Sequence, residues 1–304
     1  GSYVFLEIRP EGLAAALRAL HPLRFSGCNL TIPHKQEAMK IVDRVDETAR
    51  LIGAISCVVV EKDGFEAYIQ YANEKGLVPG VTLEVSIEDD QYNAELTPGA
   101  VDKQISAGAN IFAGIIGTAN NLAVRDTLND NCIPQLSALT GAPTWGDVEN
   151  YPWTTGQLAP YDVETKVYAQ QIAELYPDGA NVALFHVNNE FGQFYVDTFR
   201  EVAADYNFTE VEEETIEAAD QAPPTAQLTN IAAAKPDVIM AVPLGAQCIT
   251  FLTEVANQKA ANPGWNPAVF VTNTCASSLI LQLAGAAADG LYTSSNLVDV
   301  VDPA

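Results

Sequence analysis

The sequence predicts an α/β protein built from doubly wound parallel sheets. Short apolar segments alternate with longer helical patterns along most of the chain, and turn residues separate them. Hydrophobic residues make up 48% of the 304 residues, which is enough for a large buried core. Buried strands that alternate with helices are typical of parallel sheets, and such sheets bind ligands beyond the carboxyl ends of their strands.

The first 64 residues predict a small α/β unit. A helix with proline near its start is predicted over Pro10–Leu20, and a β-branched strand over Ile55–Val60. Two further strands are predicted at 3–8 and 28–32, and two further helices at 35–43 and 46–54.

Residues 65–304 continue the alternation with longer elements. Strands are predicted at 81–89, 110–117, 133–138, 181–187, 237–243 and 268–273. Helices are predicted at 65–76, 164–176, 191–206, 223–234 and 246–258, with one more before each of the second and third strands. A polar loop rich in proline, glycine and tryptophan covers 141–161.

The charge of the chain changes near residue 64. The first 64 residues carry 8 basic and 8 acidic residues, so the rest hold 7 of the 15 basic and 31 of the 39 acidic residues. An acidic surface of this kind repels nucleic acid and anionic lipid. No apolar run reaches the length of a membrane span, so we expect no membrane insertion. The five cysteines include no CxxC pair, so we expect no metal site.

The stretch at 27–35, GCNLTIPHK, carries the first specific motif. Together with GAISCVVV at 53–60 it resembles the substrate domain of shikimate dehydrogenase, whose pattern is G-x-N-V-T-x-P-x-K followed by GA-x-N-T-V. The resemblance implies that Lys35 handles the proton of the hydroxyl being oxidised. It also implies that Asn29 and Thr31 lie beside the substrate.

The segment departs from that pattern where the chemistry is carried. Ser56-Cys57 stands where the family has Asn-Thr, and the family's catalytic aspartate has no counterpart. No G-x-G-x-x-G fingerprint follows, and hydride transfer needs a bound nicotinamide. We therefore expect Lys35 to be vestigial, and we expect no cofactor, no catalysis and no oxidation of shikimate.

Residues 65–304 are similar to type I periplasmic solute-binding proteins of the branched-chain amino-acid class, which serve ABC importers. The similarity starts in FEAYIQYANEKGLVPGVTLEVSIEDDQY and continues in order through IFAGIIGTAN, YPWTTG and VALFHVNNEFGQFYVDTF. It implies one lobe at 65–160 and a second at 161–304, behind the dehydrogenase-like fragment at 1–64. Compared with that family, the first strand is replaced by Ile55–Val60, and the second lobe is expected to be truncated at its C-terminus.

This second resemblance also implies which residues contact the solute. They follow the strands of both lobes: Thr118, Ala119, Asn120, Ser137, Ala138, Thr140, Phe191, Gln247 and Thr274. The turns at 118–120 and 137–140 match family contacts to an amino acid's carboxylate and ammonium groups. We expect Thr118, Ser137 and Thr140 to converge on one cleft, because neighbouring parallel strands end at the same edge of a sheet. The acidic position that many amino-acid binders use is occupied near Asn273–Cys275, so an amide, a peptide or another small solute stays open.

The function that follows is capture of a small amino-acid-like solute outside the cytoplasm, for delivery to an ABC transporter permease. Two alternatives stay open: a cytoplasmic, NADP-dependent oxidoreductase like shikimate dehydrogenase, or an inactive fragment of one, and a non-functional chimera. An exported protein meets an oxidising environment. Cys248 and Cys275 follow adjacent predicted strands, so we expect a disulfide between them, with Cys28 and Cys57 reduced.

Overall fold

The computed structural model of the chain describes residues 9, 12–19, 27–29, 34–42, 57–59 and 64–295. Its internal packing divides the chain into two compact units, residues 1–87 and 88–304. Within the described part of the chain, no helix has both the length and the apolar composition that crossing a bilayer requires.

The first unit contains short elements and one antiparallel strand pair. The described elements are α1 (Leu13–Ala19), β1 (Gly27–Asn29), α2 (His34–Glu37), β2 (Cys57–Val59) and α3 (Gly64–Lys75). In the strand pair, Asn29 lies opposite Cys57. Leu13 of α1 and Ala38, in the 3₁₀ turn after α2, form a small buried core.

Within residues 1–64, the predicted elements are present where the structure describes them. The predicted helix at 10–20 corresponds to α1, and the predicted strands at 28–32 and 55–60 correspond to β1 and β2. The strand predicted at 3–8 and the helix predicted at 46–54 lie outside the described residues.

The strand predicted at 81–89 is wrong, because this segment is irregular and pairs with none of the strands that the structure describes. Its backbone instead bonds to a side chain of α3. The Asn73 side chain donates to the Leu83 carbonyl and accepts from the Leu83 N–H, both at 2.8 Å. One amide thus satisfies the two backbone groups that a neighbouring strand would have bonded. Alternating polarity alone does not form a strand without a partner.

The second unit begins with a parallel sheet of three strands. Its elements are α4 (Thr97–Ser106), β3 (Phe112–Ala113), α5 (Thr118–Asp130), β4 (Gln135–Ala138) and β5 (Thr154–Gly156). The strand order is β3-β4-β5, and Ala113 lies opposite Leu136. The two neighbouring parallel strands predicted at 110–117 and 133–138 are confirmed. Val101, Val124 and Leu128 form the core between this sheet and its helices.

A second parallel sheet of four strands follows, in the order β7-β6-β8-β9. Its elements are α6 (Tyr161–Leu175), β6 (Ala180–Val187), α7 (Glu190–Ala203), β7 (Phe208–Ile216), α8 (Thr225–Ala234), β8 (Val238–Val242), α9 (Ala246–Ala261), β9 (Ala268–Val271) and α10 (Ser278–Ala284). All five residues of β8 are buried, which explains why it reads as a continuous apolar run. Burial of each large side chain there stabilises the fold by about 1.5–3 kcal/mol.

Strand β7 is absent from the sequence prediction, which passes directly from a helix to the next helix. The strand lies at the edge of its sheet and is only partly buried, so FTEVEEETI contains no apolar run. Arg200 of α7 donates to Glu210 at 2.6 and 2.8 Å and to Glu213 at 2.7 Å. Charges along an edge strand prevent it from pairing with another chain.

A disulfide joins Cys248, in the first turn of α9, to Cys275, which follows β9. The pair is the one named in the sequence analysis. The two Cα atoms lie 5.6 Å apart, and both residues are fully buried. Cys132 is free and exposed. The side chains of Cys28 and Cys57 lie outside the part of the chain that is described.

Removing this disulfide should destabilise the second sheet and its helices. We expect Cys248→Ala/Cys275→Ala to lower the free energy of unfolding by about 3 kcal/mol, because the crosslink closes a loop over a separation of 27 residues. Urea unfolding of the oxidised protein and the double variant measures the difference. Cys132→Ser is the control and should leave the midpoint unchanged. Equal midpoints for the double variant and the control would contradict the prediction.

Candidate functional site

Two threonine hydroxyls meet where the first two strands of the three-stranded sheet end. The parallel pairing of β3 with β4 continues past both strands, with Ile116 opposite Leu139 and the Leu139 N–H donating to the Ile115 carbonyl at 2.9 Å. Thr118 and Thr140 follow directly. Their Oγ1 atoms lie 2.6 Å apart, and both residues are buried. The sheet therefore presents a hydroxyl pair at its carboxyl edge.

The turn before Thr118 requires a glycine. Gly117 has a φ of 97°, and a Cβ there would lie 2.7 Å from both the Tyr92 ring and the Asn120 side chain. The Asn120 amide donates to Asp90 at 2.9 Å and to Thr97 at 3.0 Å. It thereby holds the loop that precedes α4 against the start of α5.

Tyr161, which sequence reasoning did not identify, completes this group. It is the first residue of α6, and its N–H donates to the Gly141 carbonyl at 2.7 Å. Burial raises the pKa of Tyr161 and outweighs the neighbouring polar groups of Thr140, Gly141 and Thr118, which lower it, so the phenol stays neutral. A Cβ at Gly141 would overlap the Tyr161 ring and the Ala159 carbonyl, so the close approach depends on glycine.

The ring of Tyr161 packs against two aromatic residues of α7. It stacks on Tyr195 with 4.7 Å between ring centroids and meets Phe191 edge-on at 5.3 Å. Phe191 is only 1% exposed. The structure thus places Phe191 behind the Tyr161 ring, within the core that continues into the second sheet.

A buried carboxylate lies one turn further along α6. Glu164 is 5% exposed. Its Oε1 accepts from the Tyr168 hydroxyl at 2.6 Å. The same oxygen accepts from the Asn273 N–H and the Ser294 hydroxyl, both at 2.8 Å. Its Oε2 accepts from the Tyr195 hydroxyl at 2.6 Å and the Asn273 amide at 2.9 Å. Five neutral donors therefore surround one negative charge.

The two phenols on Glu164 remain protonated at any ordinary pH. Burial raises the pKa of Tyr168 and of Tyr195, and the neighbouring carboxylate raises both further. A phenol that keeps its proton remains a donor to the carboxylate.

Residues 60–304 match the periplasmic binding protein family. The chain belongs to this family. The fold is similar to that of an ABC transporter solute-binding protein from R. palustris in complex with benzoate (TM-score 0.68, 19% identity, 79% of this chain and 64% of the other). It is also similar to a branched-chain amino acid ABC transporter protein from Thermus thermophilus with bound valine (TM-score 0.66, 22% identity, 75% and 58%). The chain thus spans less than two thirds of either structure.

The N-terminal segment of this periplasmic binding protein matches a different family. Residues 1–58 match the shikimate dehydrogenase substrate binding domain. The segment is 50% identical over 62 residues to shikimate dehydrogenase (NADP(+)) from Rubrobacter xylanophilus, covering 20% of this chain and 22% of the enzyme. It is 45% identical over 64 residues to the enzyme from Paramagnetospirillum magneticum, covering 21% and 23%. The match is a short fragment and gives no evidence of catalysis.

Three other residues of the first lobe that the sequence predicts to contact the solute are not part of the hydroxyl pair. They are Ser137, Ala138 and Ala119. Ser137 lies within β4 at a φ of 53°, and its N–H donates to the Thr155 hydroxyl at 3.0 Å. Ala138 is fully buried, whereas Ala119 is partly exposed in the first turn of α5. The structure therefore brings Thr118 and Thr140 into direct contact and leaves Ser137 bonded toward β5.

The predicted contacts of the second lobe are engaged with backbone groups. The Gln247 amide donates to three carbonyls of the loop at 217–220, at 2.9 to 3.3 Å, and its oxygen accepts from the Leu244 N–H. The Thr274 hydroxyl bonds to the Thr272 hydroxyl at 2.6 Å and donates to the Pro243 carbonyl at 2.9 Å. Both side chains thus stabilise turns at the carboxyl edge of the second sheet.

The dehydrogenase-like residues lie in the first unit. Asn29 is the last residue of β1, and Lys35 lies in α2. Thr31 lies outside the described residues. Within the described segments, no three His, Cys, Asp or Glu side chains are grouped so that they could hold a metal ion.

Replacing the central carboxylate tests the importance of its network. We expect Glu164→Gln to lower the free energy of unfolding by about 2–4 kcal/mol, because an NH₂ group then faces buried donors that lose their acceptor. Chemical denaturation measures the change. Glu174→Gln is the matched control, since Glu174 is exposed on the same helix and accepts one bond from Gln171. The prediction is wrong if both variants unfold at the same denaturant concentration.

The buried phenols predict a loss of stability at alkaline pH. Burial raises the pKa of Tyr92 to about 12, and electrostatic interactions with Tyr161 and Asp90 contribute. The unfolded chain releases this proton near pH 10, so the stabilisation is complete below about pH 10 and is lost as the pH rises to about 12. Thermal unfolding between pH 9 and 12 should show Tm falling across that window. Tyr92→Phe should reduce the fall, whereas the surface variant Tyr71→Phe serves as control; an unchanged fall in Tyr92→Phe would refute the assignment.

Proposed function

We propose that the chain captures a small, amino-acid-like solute through its carboxylate and delivers it to the permease of an ABC importer. The observation that carries the proposal is the buried hydroxyl pair of Thr118 and Thr140 at the carboxyl edge of the sheet. The proteins of similar fold named above bind benzoate and valine, and both molecules carry a carboxylate.

The surroundings of the hydroxyl pair suit an anionic oxygen. Thr118 begins α5, a helix of 13 residues whose N-terminus carries partial positive charge and free N–H groups. Hydroxyls and backbone N–H groups together bind a carboxylate without a cationic side chain.

Asn273 offers no comparable contact to the ammonium group of an amino acid. The backbone N–H and the side-chain amide of Asn273 both donate to Glu164, and five donors already bond to that carboxylate. The carboxylate is therefore the group through which we expect recognition, and an amino acid, an amide-bearing acid or a simple organic acid fits the proposal.

We also propose that the protein acts outside the cytoplasm. Its family consists of extracytoplasmic proteins, and the disulfide between Cys248 and Cys275 is stable in an oxidising compartment. We propose no NADP-dependent activity for the N-terminal segment. Its likeness to the dehydrogenases covers 22–23% of those enzymes, and hydride transfer requires a nicotinamide site.

Calorimetric titration with benzoate and with L-valine tests the proposed function. Thr140→Val keeps the shape of the side chain but removes the hydroxyl, so we expect it to weaken binding of the better probe by about 10–100-fold. Thr127→Val is the matched control, because Thr127 is exposed on α5 and the chemical change is the same. Equal affinities of Thr140→Val and the control would show that binding takes place elsewhere.

A further inference from the structure

Three buried polar atoms without a hydrogen-bond partner belong to one neighbourhood of the second unit. Within the part of the chain that the structure describes, these atoms are Arg125 Nε, Asn129 Oδ1 and Trp145 Nε1. Arg125 and Asn129 are one turn apart on α5, and the Arg125 Cζ lies 5.7 Å from the Trp145 ring centroid. Folded proteins satisfy nearly all buried polar atoms, so this group indicates a partner from outside the chain.

The guanidinium of Arg125 is held in a fixed position. Its Nη1 donates to the Thr144 hydroxyl. Its Cζ lies 3.6 Å from the Tyr151 ring centroid, so the planar group stacks on the ring. Arg125 as a whole is partly exposed, which lets a small molecule reach it from solvent. The fixed nitrogen is Nη1, so the opposite edge, which carries Nε and Nη2, is the one that can take a ligand.

Arg200 of the same chain shows what this edge binds. Its Nε donates to one oxygen of Glu210 at 2.8 Å, and its Nη2 donates to the other at 2.6 Å. Such a side-on, bidentate pair matches the geometry of a carboxylate. Arg125 forms no ion pair with any carboxylate among the described residues. The same edge that Glu210 occupies on Arg200 thus has no carboxylate on Arg125.

Asp147 is the acidic residue of this loop that senses the charge of Arg125, but it is bonded elsewhere. Its two oxygens accept from the Asn150 amide at 3.0 and 2.9 Å. These bonds lower the pKa of Asp147, and the charge of Arg125 adds to the effect. The Asp147 carboxylate therefore stabilises its own loop and does not bond to the guanidinium.

The chemistry of the three atoms defines the ligand. A bridging water could bond to them but carries no charge to offset the guanidinium, whereas a carboxylate does both. The indole N–H of Trp145, a residue only 7% exposed, is a further donor to such a ligand. The Asn129 amide donates to the Asn150 carbonyl at 3.2 Å, so its Oδ1 remains an acceptor. A ligand that satisfies all three atoms is a carboxylate with an O–H or N–H group beside it.

We propose that Arg125, Trp145 and Asn129 form a second solute site, which binds a small hydroxy- or amino-carboxylate. The carboxylate lies side-on to Nε and Nη2 of Arg125 and accepts from the Trp145 indole, and the neighbouring hydroxyl or ammonium group donates to Asn129 Oδ1. The site is separate from the hydroxyl pair of Thr118 and Thr140. Arg125 lies seven residues after Thr118 on α5, which is about 10 Å along the helix axis. The two sites therefore bind independently.

Nuclear magnetic resonance of the ¹⁵N-labelled chain tests the proposal. The probes are glycolate, acetate, which lacks the hydroxyl, and glycolamide, which lacks the charge, all at one ionic strength set with sodium chloride. The chain has three tryptophans, and Trp145→Phe assigns the indole signal of Trp145. We expect glycolate to shift the Trp145 indole and Arg125 Nε–H signals to saturation, acetate to bind about fivefold more weakly, and glycolamide to shift neither.

Two arginine variants separate the bidentate contact from the charge. Arg125→Lys keeps the charge but removes the planar edge, so we expect glycolate to bind about tenfold more weakly. Arg200→Lys is the matched control, because the same edge of Arg200 is already bonded to Glu210 and the chemical change is identical. It should leave the affinity for glycolate unchanged.

The outcomes separate this inference from the proposed function. Equal shifts with glycolate, glycolamide and sodium chloride alone would overturn the second site. If Thr140→Val abolishes the shift of the Trp145 signal and Arg125→Lys retains it, the carboxylate binds at the hydroxyl pair, so the inference is wrong and the proposed function stands. Should circular dichroism show that Arg125→Lys does not fold, the wild-type titration decides, and a Trp145 signal that glycolate leaves unchanged refutes the site.

Discussion

The buried carboxylate of Glu164 is the interaction on which the second unit depends. Removing a carboxylate from water costs several kcal/mol, which is recovered only if its lone pairs are well bonded. Here two phenols, one hydroxyl, one backbone N–H and one side-chain amide supply the bonds. These donors come from α6, α7, the turn after β9 and residue 294. One charge therefore fixes four separate parts of the chain relative to each other.

The position of Tyr161 follows from that anchor. Tyr161 and Glu164 are three residues apart on α6, so they lie on the same side of the helix. With Glu164 held by Tyr195, the first turn of α6 lies against α7, and the Tyr161 ring stacks on the same tyrosine. Its N–H then bonds to the Gly141 carbonyl, directly after Thr140. The hydrogen bonds to Glu164 thus fix the first turn of α6 beside the turn that carries the Thr140 hydroxyl.

The features that the sequence predicted are those encoded in local pattern. Strand β8 reads as an apolar run because both of its faces are buried, and Thr118 and Thr140 follow from the pairing of successive parallel strands. The failures depend on partners that are distant in sequence. Strand β7 exists because β6 pairs with it, and 81–89 is not a strand because an asparagine of α3 bonds its backbone. Tyr161 and Glu164 carry no motif, and only the packing of α6 on α7 shows their role.

The acidity of the chain bears on why the proposed site uses neutral donors. The net charge of −24 repels an approaching anion over the screening length of the solution, about 8–10 Å in physiological salt. Buried hydroxyls and backbone N–H groups act only at bonding distance, where a carboxylate that has lost its water gains most from them. Recognition of a carboxylate by the hydroxyl pair of Thr118 and Thr140, as proposed, is therefore short-range.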